Sequence, residues 1–154
     1  IANPIILDNK IYIISHSGTL ASYDLNNLKL IWSVQIGGGN PPIVSGNSLF
    51  LIDNSNILYA INAKNGKIKW MKQLDSSIGE GFYFKDIKKI NVKGPFLIEN
   101  KLTLFSSNGY LKIIDPLNGK FLKSINFDIL GTEPIFIEDK LIILTSDGDL
   151  KVYR

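Results

Sequence analysis

The 154-residue sequence contains no cysteine and only one histidine, His16. The missing thiols exclude disulfide bonds and thiolate metal sites. A single histidine argues against a histidine-based metal site and against a catalytic triad. We therefore expect neither metal-ligating nor catalytic residues in this chain.

Long apolar runs and a strong charge excess are also lacking. No apolar stretch approaches the ~18 residues of a membrane-spanning helix, so we expect no transmembrane segment. The net charge is only +3 and no basic run exceeds two residues, which argues against a nucleic-acid partner. The sequence begins with Ile and shows no signal peptide, so we interpret it as a processed or excised piece whose targeting signal lies outside it.

An internal repeat of nearly forty residues organises the chain. Segments that begin at Pro4 and Pro42 align without a gap at an offset of 38 residues. Further copies begin at Pro95 and Pro134, at offsets of 53 and 39 residues. The predicted repeats cover approximately residues 2–39, 40–76, 93–131 and 132–154, with an insertion at residues 76–94.

Every repeat has the same order of strands and turns. β-branched and aromatic residues fill short runs, and turn residues interrupt them every 8–12 residues, as in an all-β protein. The second strands of the repeats are predicted at Ile11–Ser15, Leu49–Ile52, Leu102–Phe105 and Leu141–Leu144. Four-stranded antiparallel units at this period are typical of a β-propeller. We predict four such blades, the last of which lacks its outer strand.

The two tryptophans, Trp32 and Trp70, occupy the same position in the first two repeats, and Lys123 takes this position in the third. A buried indole covers about 150–250 Å², which at about 25 cal/mol per Å² amounts to several kcal/mol. We predict that each tryptophan docks its blade on the neighbouring blade. The alternative, a tryptophan that stacks on a ligand, requires the ring to face a pocket.

The stretch from Ala60 to Trp70 resembles the tryptophan-docking motif of PQQ-like propeller repeats, Ala-x-Asp-x-x-x-Gly-x-x-x-Trp. Repeat one departs from this motif at Ser22 and Leu28, which replace its Ala and Gly, and repeat three lacks the Trp. The Asp or Asn of the motif also has a purely local explanation, since it can accept hydrogen bonds from the following turn. The resemblance implies a structural role in blade docking for Trp32, Trp70, Asp24, Asn62, Gly66, Asp115 and Gly119.

The last two repeats are similar to those of the outer-membrane protein assembly factor B (BamB) family. The similar stretches are KGPFLIENKLTLFSSNGYLKIIDPLNGK and GTEPIFIEDKLIILTSDGDLKVYR, and the 53-residue offset is similar to that of alphaproteobacterial members. The resemblance implies about half of an eight-bladed ring, in a periplasmic lipoprotein whose lipid anchor holds it at the outer membrane. It also implies a scaffold without catalytic activity or cofactor, which binds the periplasmic repeats of the barrel-assembly protein and helps to insert β-barrels.

The insertion at residues 76–94 is where the chain departs from its own repeat. Loops that depart from a regular scaffold often carry function, and aromatic side chains often anchor interfaces. The alternative is that these aromatic residues pack on a blade as an edge strand and that the lysines are solvated. As candidate partner-binding residues we predict Phe82, Tyr83, Phe84, Lys85, Lys88 and Lys89.

Four blades alone would leave two blade faces and the strand edge at Asp149–Tyr153 uncovered. We predict that a missing N-terminal half or a second copy covers them. Two copies joined head to tail would close an eight-bladed ring with two-fold symmetry. Two other functions stay open, a generic ligand-binding or sensor propeller and a quinoprotein dehydrogenase. The latter commonly has a disulfide of adjacent cysteines, which this chain lacks.

Overall fold

The computed structural model describes residues 3–74, 91–137 and 140–153. These residues form fifteen β-strands in four antiparallel sheets, and no helix occurs among them. The first three sheets have four strands each and the fourth has three, which confirms the predicted fold class and the missing outer strand of the last blade.

In every sheet the strands pair in chain order, so each sheet is a simple meander. Sheet 1 contains β1 (Ile5–Leu7), β2 (Lys10–Ile14), β3 (Leu20–Asp24) and β4 (Leu30–Val34). Sheet 2 contains β5 (Ile43–Ser45), β6 (Ser48–Ile52), β7 (Ile57–Asn62) and β8 (Ile68–Gln73). Sheet 3 contains β9 (Val92–Ile98), β10 (Lys101–Ser106), β11 (Tyr110–Ile114) and β12 (Phe121–Asn126). Sheet 4 contains β13 (Ile135–Ile137), β14 (Lys140–Leu144) and β15 (Leu150–Tyr153).

Two of the tight hairpins owe their geometry to residues in the left-handed region. Asp8 and Asn9 join β1 to β2 with φ values of 47° and 61°, and Glu99 and Asn100 join β9 to β10 with 47° and 59°. Two consecutive residues with positive φ form the turn whose twist matches that of paired strands. Asn and Asp tolerate this conformation better than most side chains, which explains why polar turns recur at this place in the repeat.

Sheet 2 is apolar on both faces, because it lies between two other sheets. Leu49 and Leu51 of β6 point into a core shared with sheet 1. Phe50 and Ile52, at the alternate positions, point into a core shared with sheet 3. Since side chains alternate between the two faces of a strand, a continuous apolar run such as Leu49–Ile52 indicates a strand that is covered on both sides.

Sheet 4 packs on sheet 3 through a row of aromatic rings. Phe96 lies 5.3 Å from Phe136 and 5.7 Å from Phe105, measured between ring centroids. Phe127 continues the row, at 5.4 Å from Phe105 and 4.9 Å from Tyr153. The sheets therefore pack in the order 1, 2, 3, 4 and form an open arc of propeller blades rather than a closed ring.

The carboxylate of Asp128 links the last strand, β15, to the segment that follows β12. Asp128 accepts hydrogen bonds from the Lys151 Nζ, at 2.7 Å, and from the Tyr153 hydroxyl. These two hydrogen bonds, that of Lys151 first, lower the pKa of Asp128, and the same carboxylate raises the pKa of Lys151 and Tyr153. Both members of the Asp128–Lys151 pair are partly exposed, so we expect a modest contribution to stability.

The lowered pKa of Asp128 predicts a pH-dependent stability of the packing between sheets 3 and 4. A carboxyl group whose pKa is lower in the folded state stabilises the fold above its unfolded pKa of about 3.9, and this stabilisation is lost as the pH falls through the folded pKa. Urea unfolding should therefore show a lower midpoint for Asp128→Asn than for the parent protein at pH 7, and a smaller difference below pH 4. The exposed turn residue Asp147 provides the control, Asp147→Asn. Equal pH dependence of the parent protein and Asp128→Asn would contradict this account.

Candidate functional site

The sequence-predicted docking residues lie at the joints between successive sheets. At the first joint, Trp32 of β4 reaches from sheet 1 to the turn between β7 and β8 of sheet 2. Its indole Nε1 donates a hydrogen bond to the carbonyl oxygen of Ala63 at 3.1 Å. The ring lies against Gly66, where an added Cβ would come within 2.8 Å of Trp32 Cε3. Position 66 therefore requires glycine for two reasons, the close contact with the indole and the positive φ of 72°.

The second joint repeats this arrangement one sheet further along the chain. Trp70 of β8 donates from Nε1 to the carbonyl oxygen of Pro116 at 3.0 Å. A Cβ added to Gly119, which has a φ of 71°, would lie 2.7 Å from Trp70 Cε3. An aromatic residue of the same sheet flanks each indole, Tyr12 beside Trp32 and Phe50 beside Trp70.

The Asp or Asn of the motif shapes the turn that receives the tryptophan. Asn62 Oδ1 accepts a hydrogen bond from the backbone N–H of Lys64 at 2.9 Å, and Asp115 Oδ1 accepts one from Leu117 at 2.8 Å. In both turns, the indole N–H donates to the carbonyl oxygen of the next residue in the chain. This residue is Ala63 after Asn62 and Pro116 after Asp115. Asp24 makes the equivalent bond to the N–H of Asn26 at 2.9 Å, but no tryptophan among the described residues lies on its turn.

Repeat one departs from the motif at two residues, and both departures are visible in the structure. Ser22 pairs with Trp32 in the strand register, where Ala60 pairs with Trp70. Its side chain is fully buried, and its Oγ has no hydrogen-bond partner among the described residues. Leu28, at the glycine position, has a φ of 56° and is largely exposed. A leucine in this region is strained by roughly 1–2 kcal/mol.

The third joint, between sheets 3 and 4, has no tryptophan. Lys123, at the tryptophan position, is exposed, and Thr103 takes the position of Tyr12 and Phe50. A groove of about 660 Å³ opens between the two sheets. Its walls are mostly apolar, with Glu99 and Lys140 among the lining residues. The other lining residues that define its two walls are Leu111, Ile113 and Ile125 of sheet 3 and Phe136, Leu141 and Tyr153 of sheet 4.

Sequence reasoning missed the aromatic row and the Asp128 hydrogen bonds that hold this third joint together. A usable signal is present, because the repeat without a tryptophan contains Phe96, Phe105 and Phe127. The third repeat thus keeps aromatic residues, but it carries them at positions other than that of the tryptophan. The candidate partner-binding residues lie outside the described residues and stay a prediction: Phe82, Tyr83, Phe84, Lys85, Lys88 and Lys89.

The titratable groups inside the first core reflect packing between sheets. Burial, and to a smaller extent the charge of Asp8, raises the pKa of Tyr12. Burial also raises the pKa of Tyr59, with a further contribution from the neighbouring Asp53. In the described ranges, no group of three or more His, Cys, Asp or Glu residues could hold a metal ion, and no helix could cross a membrane. What the described residues offer for binding is a set of sheet faces, strand edges and surface pockets, among them the groove at the third joint.

Comparison with known sequences points to one kind of propeller. A family model described as "Outer membrane protein assembly factor BamB" matches residues 1–72. BamB of Aliivibrio fischeri is 29% identical over 72 residues, which are 46% of this chain and 19% of that protein. BamB of Moranella endobia is 28% identical over 152 residues, which are 97% of this chain and 36% of that protein. The chain thus covers well under half the length of either curated relative.

Solved structures agree on the fold. The crystal structure of BamB from Moraxella catarrhalis matches 98% of this chain with a TM-score of 0.78 and 18% identity, over 42% of its own length. The computationally designed protein Ika4 matches 99% of this chain and 88% of its own length, with a TM-score of 0.67 and 15% identity. The quinohemoprotein alcohol dehydrogenase of Comamonas testosteroni matches 80% of this chain and 20% of its own length, with a TM-score of 0.62 and 14% identity.

The chain thus has the fold of successive β-propeller blades, and its sequence is similar to PQQ-like repeats. Within that class it is BamB-like, since the family model, both curated relatives and the Moraxella catarrhalis structure carry that name.

The unpartnered hydroxyl of Ser22 predicts that Ser22→Ala stabilises the protein. A buried polar group without a partner costs about 1–3 kcal/mol, and alanine is the residue found at the matching position of repeat two. We expect the free energy of unfolding in urea to rise by about 1 kcal/mol. Ser33→Ala, on the exposed part of β4, is the matched control and should change it by less than about 0.5 kcal/mol. A loss of stability in Ser22→Ala would show that the hydroxyl has a favourable partner.

The contact between indole and glycine predicts that Gly66→Ala destabilises the first joint. Gly46→Ala is the matched control, because Gly46 also has a positive φ but nothing within 4 Å of an added Cβ. Both variants share the backbone strain, and only Gly66→Ala pushes a methyl group into Trp32. We expect Gly66→Ala to lose roughly 1–3 kcal/mol more than the control, the usual cost of overpacking. Equal losses in the two variants would mean that the contact contributes little.

Proposed function

We propose that this chain is part of a non-catalytic scaffold that holds other proteins together during assembly of outer-membrane β-barrels. The observation that carries this proposal is the similarity to BamB, which extends over 97% of the chain in the Moranella endobia protein. The match to the BamB fold at a TM-score of 0.78 supports it. Under this proposal the chain works in the periplasm as part of a lipoprotein, at the outer membrane, with its lipid anchor outside the present sequence.

The proposed partner is the set of periplasmic repeats of the barrel-assembly protein. The described sheets would supply a firm platform for it, because the first two joints combine an indole contact, a hydrogen bond and a buried apolar core. For the contact itself we propose the insertion between sheets 2 and 3. Its aromatic side chains suit anchoring, and its lysines suit an acidic rim on the partner. The proposed contact residues are Phe82, Tyr83, Phe84, Lys85, Lys88 and Lys89.

A ligand-binding or sensor propeller is the second candidate function. The observation in its favour is the groove at the third joint, whose volume of about 660 Å³ suits a small molecule. A third candidate, a quinoprotein dehydrogenase, has only the shared fold in its favour, at 14% identity over 20% of such an enzyme. The similarity to BamB covers more of the chain at higher identity, and for this reason we favour the scaffold.

The scaffold proposal predicts direct binding between this chain and the purified periplasmic repeats of the barrel-assembly protein from the same organism. Isothermal titration calorimetry should detect a complex, and alanine at Phe82, Tyr83 and Phe84 together should weaken it at least tenfold, because aromatic anchors often contribute about 2 kcal/mol or more. The matched control replaces Met71 and Leu117, two exposed apolar residues outside the insertion, by alanine. We expect these changes to leave the affinity within about twofold.

The possible results separate the two parts of the proposal. A folded chain that does not bind the periplasmic repeats contradicts the scaffold function. Binding that is equally strong in the triple-alanine variant supports the scaffold but removes the insertion as its contact surface. A spectrum of bound quinone in the purified protein would instead support the dehydrogenase.

A further inference from the structure

A pocket of about 370 Å³ opens at the second joint, between sheets 2 and 3. Its walls come from β5 and β6 on one side, and from β9, the β9–β10 hairpin and the turn after β11 on the other. A volume of this size lies within the range of small ligand pockets. Half of the lining residues are apolar and half are polar: Phe50, Leu97, Pro116 and Leu117, with Ser45, Ser48, Asn100 and Asp115.

The pocket lies where repeat two has smaller side chains than repeat one. At the internal offset of 38 residues, Ser45 replaces Leu7 and Phe50 replaces Tyr12. Leu7 packs against the core of the first joint, and the Tyr12 hydroxyl donates to the carbonyl oxygen of Ala63 at 3.3 Å. The rings of Tyr12 and Phe50 hold the same position beside their indoles, with centroid distances of 6.1 and 6.0 Å. The second joint therefore lacks one apolar side chain and one hydroxyl group that fill the first.

The carbonyl oxygen of Pro116 consequently accepts one hydrogen bond fewer than that of Ala63. Ala63 accepts from the indole of Trp32 and from the hydroxyl of Tyr12. Among the residues that the structure describes, Pro116 accepts only from the indole of the second joint. Because a carbonyl oxygen has two lone pairs, Pro116 can accept a second donor, in the place that the hydroxyl takes at the first joint.

A second carbonyl oxygen at this pocket, that of Asn100, also lacks the donor that its counterpart has. In sheet 2 the N–H of Ala63 donates to the carbonyl oxygen of Asn47 at 3.1 Å, and the equivalent pair of sheet 1 forms the same bond. In sheet 3 the donor position is occupied by Pro116, which has no N–H. Within the described ranges no backbone N–H replaces it. The pocket thus offers two acceptors, one that receives a phenol hydroxyl in the first joint and one that receives a peptide N–H.

The charges beside the pocket favour a neutral ligand. The carboxylate of Asp115 lines the pocket and accepts hydrogen bonds within its own turn. On the other side, the Lys69 Nζ lies 2.7 Å from the Oγ of Ser48, which is also a lining residue. A negative and a positive group thus oppose each other, so neither sign of charge on a ligand gains a clear advantage.

We propose that this pocket binds a tyrosine residue of a partner protein. A tyrosine residue is neutral and carries both donors that the second joint lacks, a phenol hydroxyl and a peptide N–H. The hydroxyl donates to the carbonyl oxygen of Pro116 and the N–H to that of Asn100. The ring fills the space beside Ser45 and covers Leu117, which is 85% exposed. Tyrosine suits such a place, because its ring is apolar and its hydroxyl finds a partner.

This pocket is separate in sequence from the insertion at residues 76–94. The tyrosine therefore belongs to a protein other than the one proposed to contact the insertion. A scaffold that holds proteins together needs more than one such surface, but the pocket proposal does not depend on the proposed function. Binding at the pocket and binding at the insertion can each fail without the other.

Titration of the isotope-labelled protein with three small probes, followed by amide NMR spectra, tests the proposal. N-acetyl-L-tyrosinamide carries both donors, N-acetyl-L-phenylalaninamide lacks the hydroxyl, and para-cresol lacks the peptide N–H. We expect N-acetyl-L-tyrosinamide to shift the signals of Ser45, Ser48, Asn100 and Leu117 saturably. It should bind at least about threefold more tightly than either other probe, because each of them loses one hydrogen bond. Equal affinities, or no saturable shift at these signals, overturn the proposal.

Free L-tyrosine separates a tyrosine residue of a protein from the free amino acid. It carries an ammonium and a carboxylate group in place of the two neutral amides, so we expect it to bind more weakly than N-acetyl-L-tyrosinamide. Tighter binding of free L-tyrosine would overturn a protein as the source of the ligand.

Two substitutions that rebuild the first joint test the two hydrogen bonds separately. Phe50→Tyr supplies a hydroxyl to the Pro116 carbonyl from inside, so it should remove the advantage of N-acetyl-L-tyrosinamide over N-acetyl-L-phenylalaninamide. Pro116→Ala supplies an N–H to Asn100, so it should remove the advantage over para-cresol. In each variant the other advantage should persist. A folded variant that keeps both advantages contradicts the assigned hydrogen bond.

A third substitution fills the pocket without touching either acceptor. Ser45→Leu, at an exposed position of β5, restores the bulk of Leu7 and should abolish the saturable shifts. Ser124→Leu is the matched control, because Ser124 is exposed on β12 and does not line the pocket. It should leave the affinity within about twofold. Unchanged binding in a folded Ser45→Leu variant overturns the proposed site.

Discussion

The architecture depends on one recurring contact, in which an indole lies flat on a left-handed glycine of the next sheet. The same turn supplies a carbonyl oxygen to the indole N–H, at 3.1 Å in one joint and 3.0 Å in the other. A sheet of four short strands cannot bury both of its faces alone. The contact fixes the position of one sheet on the next, because it supplies both buried apolar area and a hydrogen bond between them.

The sequence was sufficient to predict the class of fold, because this is a property of the repeat, but it did not predict which glycine receives which indole. Aligning the chain with itself places Trp32 and Trp70 at one repeat position and Gly66 and Gly119 at another. The strain at Leu28 and the orphaned hydroxyl of Ser22 were not predicted, since they depend on backbone conformation and burial. The third joint was also missed. Its rings come from four separate strands and from the segment after β12, and only the folded arrangement brings Phe127 next to Tyr153.

The three joints differ in chemistry, and this difference matters for function. Two of them are closed by tryptophan, and the third is held by tilted and edge-to-face aromatic rings and by the partly exposed Asp128–Lys151 pair. The groove of about 660 Å³ opens at this third joint. A BamB-like scaffold can use sheet faces, strand edges and loops for binding, whereas a ligand-binding propeller would use this groove.

The doubly apolar β6 strand has a consequence for how the protein opens. Leu49–Ile52 is covered from both sides, so its backbone amides are released only when two neighbouring cores separate. A sheet at either end of the arc can detach when only one core opens. Protection against hydrogen exchange should consequently be highest in β6 and fall toward both ends of the arc, as in other chains whose units contact only their neighbours. Local opening would thus begin at the terminal sheets, while the centre stays folded.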